Sequence, residues 1–436
     1  MGTRNTVGTV RRRTCWGLTL FLALVLVAGS GLTAVAFAQT VTVRYWDFID
    51  PKLDNPRSRA LAQHIQRFEA ANPGIKISAE IMPWHQVAPQ LIQAAAAGRT
   101  PDVARVLIWD LPQLVKAGTA AALDSFTDKW PASVRNDFLV EWNATVWDGK
   151  KMAIPYEHRV FVLWYRKDLL AAAGLGVPKT TEELIQAGRA LNKGNTQGMV
   201  VGLSRASQAS ALAEWFYPML WAGGGDLLDA KGEPVFHKEA GVRAVQALAD
   251  LVKKGAMPQA VAAYTYEEIF QGVKAGTIAM TGLGSHRVVT AREAGKLGEN
   301  LQTAWFPGYT ADKPAPAHVM GWNMMMGKDS KQREAAWKFI DHMTSTESQI
   351  ITAKVTGEMP TRKSAYNDPW FRSKEAAELM FWKDYMERYG KMPRYPEKYV
   401  ELSQLIADAV QEVVLRNAAP QEALNKAAER YKTIIR

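Results

Sequence analysis

The stretch from Val41 to Ile108 constrains this chain more than any other. Val41, Val43 and Tyr45 alternate with Thr42, Arg44 and Trp46, the period-two pattern of a strand. A helix begins at Pro56, carries Leu61, Ile65 and Phe68 on one face, and is stopped by Asn72-Pro73-Gly74. Ile75, Ile77, Ala79 and Ile81 then alternate with Lys76, Ser78 and Glu80, a second strand. Another helix covers 85–97 and ends at Gly98, and Pro101-Asp102 opens an apolar third strand, Val103–Ile108. Strand, helix, strand, helix, strand in so short a span means βαβ crossovers and a mainly parallel sheet. The fold class is α/β.

The rest of the chain repeats the theme. Val160–Tyr165 is a short, wholly apolar run, as expected of a strand covered on both faces. Thr180-Thr181-Glu182-Glu183 reads as a capping box opening a helix through Leu191. Val245, Leu248, Ala249 and Val252 form a helical stripe that ends at Lys253-Lys254-Gly255. Thr277–Thr281 is strand-like, and helices are expected at 331–343, around 402–413 and from Pro420 onward. No fixed-period repeat and no low-complexity tether separates two halves, so two lobes would be joined by several short crossings.

Residues 1–38 contain Arg4, Arg11, Arg12 and Arg13 with no acidic residue, then an apolar run from Trp16 to Val27, Gly29-Ser30-Gly31 and Ala36-Phe37-Ala38. A basic start, an apolar middle and a small-x-small end describe a signal peptide cleaved after Ala38. An uncleaved anchor is the competing reading, since Trp16–Ala38 is long enough to span a bilayer. Arg12-Arg13 also permits twin-arginine export. Removing the segment takes the formal charge from +10 to +6, with no clustered basic stripe, so nucleic acid is not an expected partner. The one cysteine, Cys15, precedes the apolar run and leaves with it, which excludes a lipoprotein attachment site and suits an oxidising compartment. The product is expected to be soluble and periplasmic.

Catalytic signatures are missing from the sequence. The seven histidines form no HExxH pair, and no GxGxxG, Walker-type GxxxxGK[ST] or GxSxG is present. No metal, cofactor or catalytic residue is expected.

Several segments resemble the extracellular solute-binding proteins of bacterial ABC importers, in particular the carbohydrate-binding family that includes maltose-binding protein. FEAANPGIKI (68–77) resembles that family's first helix–strand junction, LIQAAAAGRTPDV (91–103) its small-residue passage, and DGKKMAIPY with VLWYRKDLLAAAGL its crossing into the second lobe. PKTTEELIQAGRAL, WAGGGDLLDAKGEPVF, FQGVKAGTIAMTG, AAWKFIDHMTSTESQ and GEMPTRKSAY continue the likeness in order. One departure stands out: Tyr165 is followed by Arg166 where the family has Asn or Asp, at a strand end where ligand preference is set. The resemblance implies a two-lobed periplasmic-binding-protein fold, with two mainly parallel sheets flanked by helices and a hinge between the lobes. Lobe one would comprise 40–152 plus 282–343, and lobe two 153–281 plus 344–436. It further implies a monomeric receptor that closes on a small-molecule solute, a sugar or oligosaccharide, and passes it to ABC permease membrane subunits. An anionic solute such as a glycerol-phosphate compound is the alternative, and an exported carbohydrate-active enzyme a more distant one.

In open parallel sheets ligands bind beyond the carboxyl ends of the strands. That rule selects Trp46 and Asp47, Trp84, Tyr156 and Glu157, Ser285, His286 and Arg287; Arg105 is a further candidate, able with Arg287 and Arg362 to recognise a phosphate or carboxylate. Trp322, Asn323 and Arg362 join them at segment ends, where the family also places ligand contacts, and Trp221 joins them beside Gly223-Gly224-Gly225. Pyranose rings have apolar faces and hydroxyl edges, which aromatic rings and charged or amide groups complement. Fourteen tryptophans follow the leader. Trp46, Trp221 and Trp322 are the ones expected at a ligand; Trp142, Trp147, Trp164, Trp337 and Trp382 are expected in the core.

Overall fold

The computed structural model describes residues 40–139 and 143–436; the leader and Trp142 lie outside them. The opening βαβαβ is present: β1 (Val41–Asp47), α1 (Pro56–Ala71), β2 (Ile75–Ile81), α2 (Val87–Ala96) and β3 (Val103–Leu107). Asn55 caps α1 by accepting from the Ser58 N–H, and Gly98 takes the left-handed φ of +64° that ends the second helix. There follow β4 (Ala153–Arg166), α3 (Thr181–Leu191), β5 (Gln197–Val200), α4 (Ser210–Ala222), α5 (Glu239–Lys253) and α6 (Tyr266–Lys274). Then come β6 (Ile278–Gly284), α7 (Val288–Gly295), β7 (Leu301–Ala304), β8 (Ala317–Met326), α8 (Arg333–Met343) and α9 (Thr346–Thr356). The chain closes with α10 (Ala377–Tyr389), α11 (Tyr399–Arg416) and α12 (Pro420–Ile435).

Hydrogen bonding links the strands in the order β2-β1-β3-β8-β4-β6-β5. β1 pairs parallel with β2 and β3, and β5 parallel with β6. The expected parallel pairing is found in these pairs and where the start of β8 meets Gly390-Lys391; the rest of the sheet is antiparallel. β8 runs antiparallel between β3 and β4, and β4 runs antiparallel to β6 and β7. The reason is β4, whose fourteen residues pair with β8 over 153–160 and with β6 over 161–165. It is one strand serving two sheet halves, longer than the Val160–Tyr165 run that marks it in the sequence.

β8 is the element the sequence pattern conceals. All ten of its residues are buried, so no alternation exposes it, and Gly321 and Asn323 read as punctuation. Gly321-Trp322-Asn323 therefore lies mid-strand, not at a segment end, with a bulge between Trp322 and Asn323 where it faces β4.

Trp164 and Trp382 are core residues, each 1% exposed, and Trp147 and Trp337 are partly buried against the same core. α9 packs on α1, and Arg362 bonds the Val134 carbonyl. β7 pairs with the far half of β4, and Thr181 donates to Gly308. Among the described residues no helix is long and apolar enough to cross a membrane.

Candidate functional site

A cleft of about 490 Å³ opens beyond the carboxyl ends of β1 and β3. Its floor is set by strand periodicity: Arg159 and Phe161 of β4 and Met320 and Trp322 of β8 stand two residues apart, so each pair shares a face. One wall comes from Phe48 after β1, Arg57 of α1, Trp84 and Trp109. The other comes from Glu214 of α4, Tyr266 and Phe270 of α6, and His286 and Arg287 in the turn after β6.

Four of the expected residues line this cleft: Trp84, His286, Arg287 and Trp322. Arg105 and Glu157 lie directly behind it. Arg105 is 1% exposed, pairs with Glu157, and stacks its guanidinium near Phe48, Tyr156 and Trp322, 4.9, 4.6 and 5.4 Å from their centroids. Asp47 is buried beside it, accepting from the Tyr45 hydroxyl and the Phe48 N–H while Arg105 Nη1 stands 3.9 Å away. Ser285 is also buried, its hydroxyl accepting from the Val160 N–H.

Others are held elsewhere. Trp46 donates its indole N–H to Glu80, and Trp221 donates to Asp226 under the Lys391 ammonium; neither lines the cleft. Arg362 donates to the Thr344 and Val134 carbonyls and lies over Phe138, so it ties loops together. Asn323 is fully buried, neither of its side-chain polar atoms has a hydrogen-bond partner among the described residues, and it does not line the cleft.

Sequence reasoning missed Arg57, Arg159 and Glu214. Arg57 sits in the first turn of an amphipathic helix and Arg159 inside an apolar strand; an arginine in such a run was the available signal for the second. Glu157 accepts from Arg57, Arg105 and Arg159, and Arg57 also pairs with Glu358. Burial raises the Glu157 carboxyl, but the guanidiniums of Arg159, Arg105 and Arg57 outweigh it and hold the pKa below the usual carboxylate range. Burial and then Arg159 push His286 well below the usual imidazole range. Arg159 Nη1 lies 3.0 Å from His286 Nε2; an arginine only donates, so the neutral ring accepts at Nε2 and carries its proton on Nδ1. Arg287 pairs with Glu267 at 2.8 Å and covers the Phe270 ring. The cleft is thus aromatic, rich in donors, and its arginines are already matched by carboxylates. Among the described residues no group of three or more His, Cys, Asp or Glu is placed to hold a metal ion.

Residues 54–350 match the family model described as bacterial extracellular solute-binding protein. The chain belongs to that family. A probable ABC transporter-binding protein of Deinococcus radiodurans is 26% identical over 68% of this chain and 70% of its own length. Among solved structures, the GacH receptor of Streptomyces glaucescens, determined unliganded and with acarbose, superposes with a TM-score of 0.78 at 24% identity, covering 90% of this chain and 98% of its own. Maltose-bound MalE3 of T. maritima superposes at 0.79 with 23% identity, covering 91% and 100%. The two-lobed periplasmic-binding-protein fold of these receptors is the fold of this solute-binding protein. Its family and structural neighbours are binding proteins, not enzymes.

Proposed function

We propose that this solute-binding protein is the exported receptor of an ABC importer, that it captures a neutral sugar or oligosaccharide in the cleft, and that it delivers it to the permease membrane subunits. The observation that carries the ligand class is the pairing of the cleft. Arg57, Arg159 and Arg287 each have a carboxylate partner, so the site presents guanidinium donors without a large net positive charge. Aromatic rings of Phe48, Trp84, Phe161 and Trp322 supply faces for pyranose C–H groups. The solved neighbours hold acarbose and maltose, both sugars. Micromolar capture requires about −8 kcal/mol. The contacting residues we assign are Trp84, His286, Arg287 and Trp322, with Phe48, Arg57 and Arg159 added, and Arg105, Glu157 and Asp47 supporting them from behind.

β4 and β6 are the crossing strands in this reading. The packing favours shifting the expected lobe bounds: 344–372 goes with lobe one, because α9 packs on α1, and about 288–316 with lobe two, because β7 pairs with the far half of β4. Capture is then a population shift toward a closed state that the permease recognises. The receptor acts in the periplasm, without a lipid anchor, as a monomer.

The anionic alternative draws on Arg57, Arg159, Arg287 and Lys274, all at the cleft. Their carboxylate partners argue against it for the three arginines. The enzyme alternative is disfavoured because the family and the solved neighbours are binding proteins, and Glu157, the carboxylate first considered, is held ionised by three guanidiniums. A thermal-shift screen of residues 39–436 tests the reading. Maltose, acarbose or a related neutral sugar at a hundred times its Kd adds about 2.7 kcal/mol and raises Tm; a response to sn-glycerol 3-phosphate alone transfers the assignment to anions.

A further inference from the structure

One acid at the cleft is answered by nothing. Glu214 on α4 lines the cleft, is 3% exposed, and its Oε2 has no hydrogen-bond partner among the described residues. The Tyr266 and Ser210 hydroxyls, the Trp109 and Trp322 indole N–H groups and His286 Nδ1, all on cleft-lining residues, are buried and equally unpartnered among the described residues. A buried polar group left unpaired is costly, so a cluster of six on one cleft is a set awaiting a ligand. Trp322 donates only, His286 carries its proton on Nδ1, and the arginines donate only. Each ligand hydroxyl that accepts from these groups has its own proton to place. Beside the Ser210 and Tyr266 hydroxyls, Glu214 is the buried carboxyl group able to take it.

We propose that Glu214 is the specificity-determining contact of the cleft, its carboxyl group gripping one hydroxyl of the bound sugar together with the Tyr266 hydroxyl. This rests on the carbohydrate-receptor reading above and adds the residue that selects within it. A carboxyl buried without a paired cation is neutral, so it offers a C=O that accepts and an O–H that donates, the complement of one sugar hydroxyl. Burial raises its pKa well above the usual range, partly offset by Arg159 and Arg287. The other charged or titratable groups facing it are Glu267 and Tyr266 of α6, with His286 held neutral behind Arg159.

The test is calorimetric titration of residues 39–436 with maltose, maltotriose, tagatose and ribitol between pH 6 and 9. The Glu214→Gln amide copies the neutral acid's donor and acceptor, so it binds within about threefold of wild type at pH 6. Glu214→Leu loses about tenfold to a hundredfold, the range for leaving buried partners unmatched. Wild-type affinity falls as pH rises toward the raised pKa of the acid, and Glu214→Gln is flat. Should Glu214→Leu fail to fold, the pH profile of Glu214→Gln decides alone. Unchanged affinity in Glu214→Leu, or a Glu214→Gln profile matching wild type, overturns the assignment of Glu214 while leaving the receptor reading intact. Wild type binding none of the four probes overturns both.

Discussion

The indole of Trp322 stacks on the ring of Phe48, with centroids 4.2 Å apart and planes inclined by 30°. The contact joins the middle of β8 to the loop leaving β1, with the Arg105 guanidinium within 5.4 Å of both rings. Trp322 is 2% exposed, so Trp322→Ala removes a core side chain and costs about 3–5 kcal/mol in denaturant unfolding. Phe48 is half-buried, and Phe48→Ala costs less stability but more affinity, because the ring forms the outer cleft wall. Comparing the two variants by unfolding and by sugar titration separates the roles.

The Glu157 carboxylate is shared by Arg57, Arg105 and Arg159. Glu157→Gln leaves the buried Arg105 and Arg159 and the partly buried Arg57 without their common partner and lowers stability by about 3–5 kcal/mol. Adding Arg105→Met to that variant recovers part of the loss, since one unmatched charge is removed. An additive double variant in urea unfolding would show that the two residues do not act as a pair.

Much of this arrangement was legible in the sequence, and the exceptions have physical reasons. The first two strands and two helices show their periodicity because one face of each meets the core, and β3, buried throughout, shows as an apolar run opened by Pro101-Asp102. β8 does not, because both its faces are buried and its glycine and asparagine mimic a turn. Trp46 satisfied the strand-end rule and Trp221 stood beside glycines, yet each indole N–H has a local carboxylate that turns it away. Glu214 carries no local signature at all: it lies in the apolar helix ALAEWFYPML, and only tertiary packing sets it on the cleft.

Asp110 follows β3 and is buried, accepting from Gln113 and Gln208. Burial raises its pKa from 3.8 to about 7, against those hydrogen bonds. The folded state therefore binds a proton more tightly than the unfolded chain. This group's contribution is present below pH 4 and is lost as pH rises toward 7, at roughly 1.4 kcal/mol per pH unit. Asp110→Asn removes that slope and is more stable than wild type at pH 8 by thermal unfolding.

Gly284 ends β6 where a Cβ would come within 2.5 Å of His286 Nδ1 and 3.1 Å of Phe161 Cε1. Gly284→Ala displaces the imidazole from Arg159. The overpacking costs about 1–3 kcal/mol of stability, and sugar affinity falls further than in Gly98→Ala, a glycine remote from the cleft.

The most direct measurement of the central claim is tryptophan fluorescence of residues 39–436 during titration with neutral sugars, in wild type and in Trp322→Phe. A saturable change at micromolar sugar, with much of its amplitude lost in Trp322→Phe, is the predicted result. No saturable change with any neutral sugar, alongside saturation by sn-glycerol 3-phosphate, would contradict it.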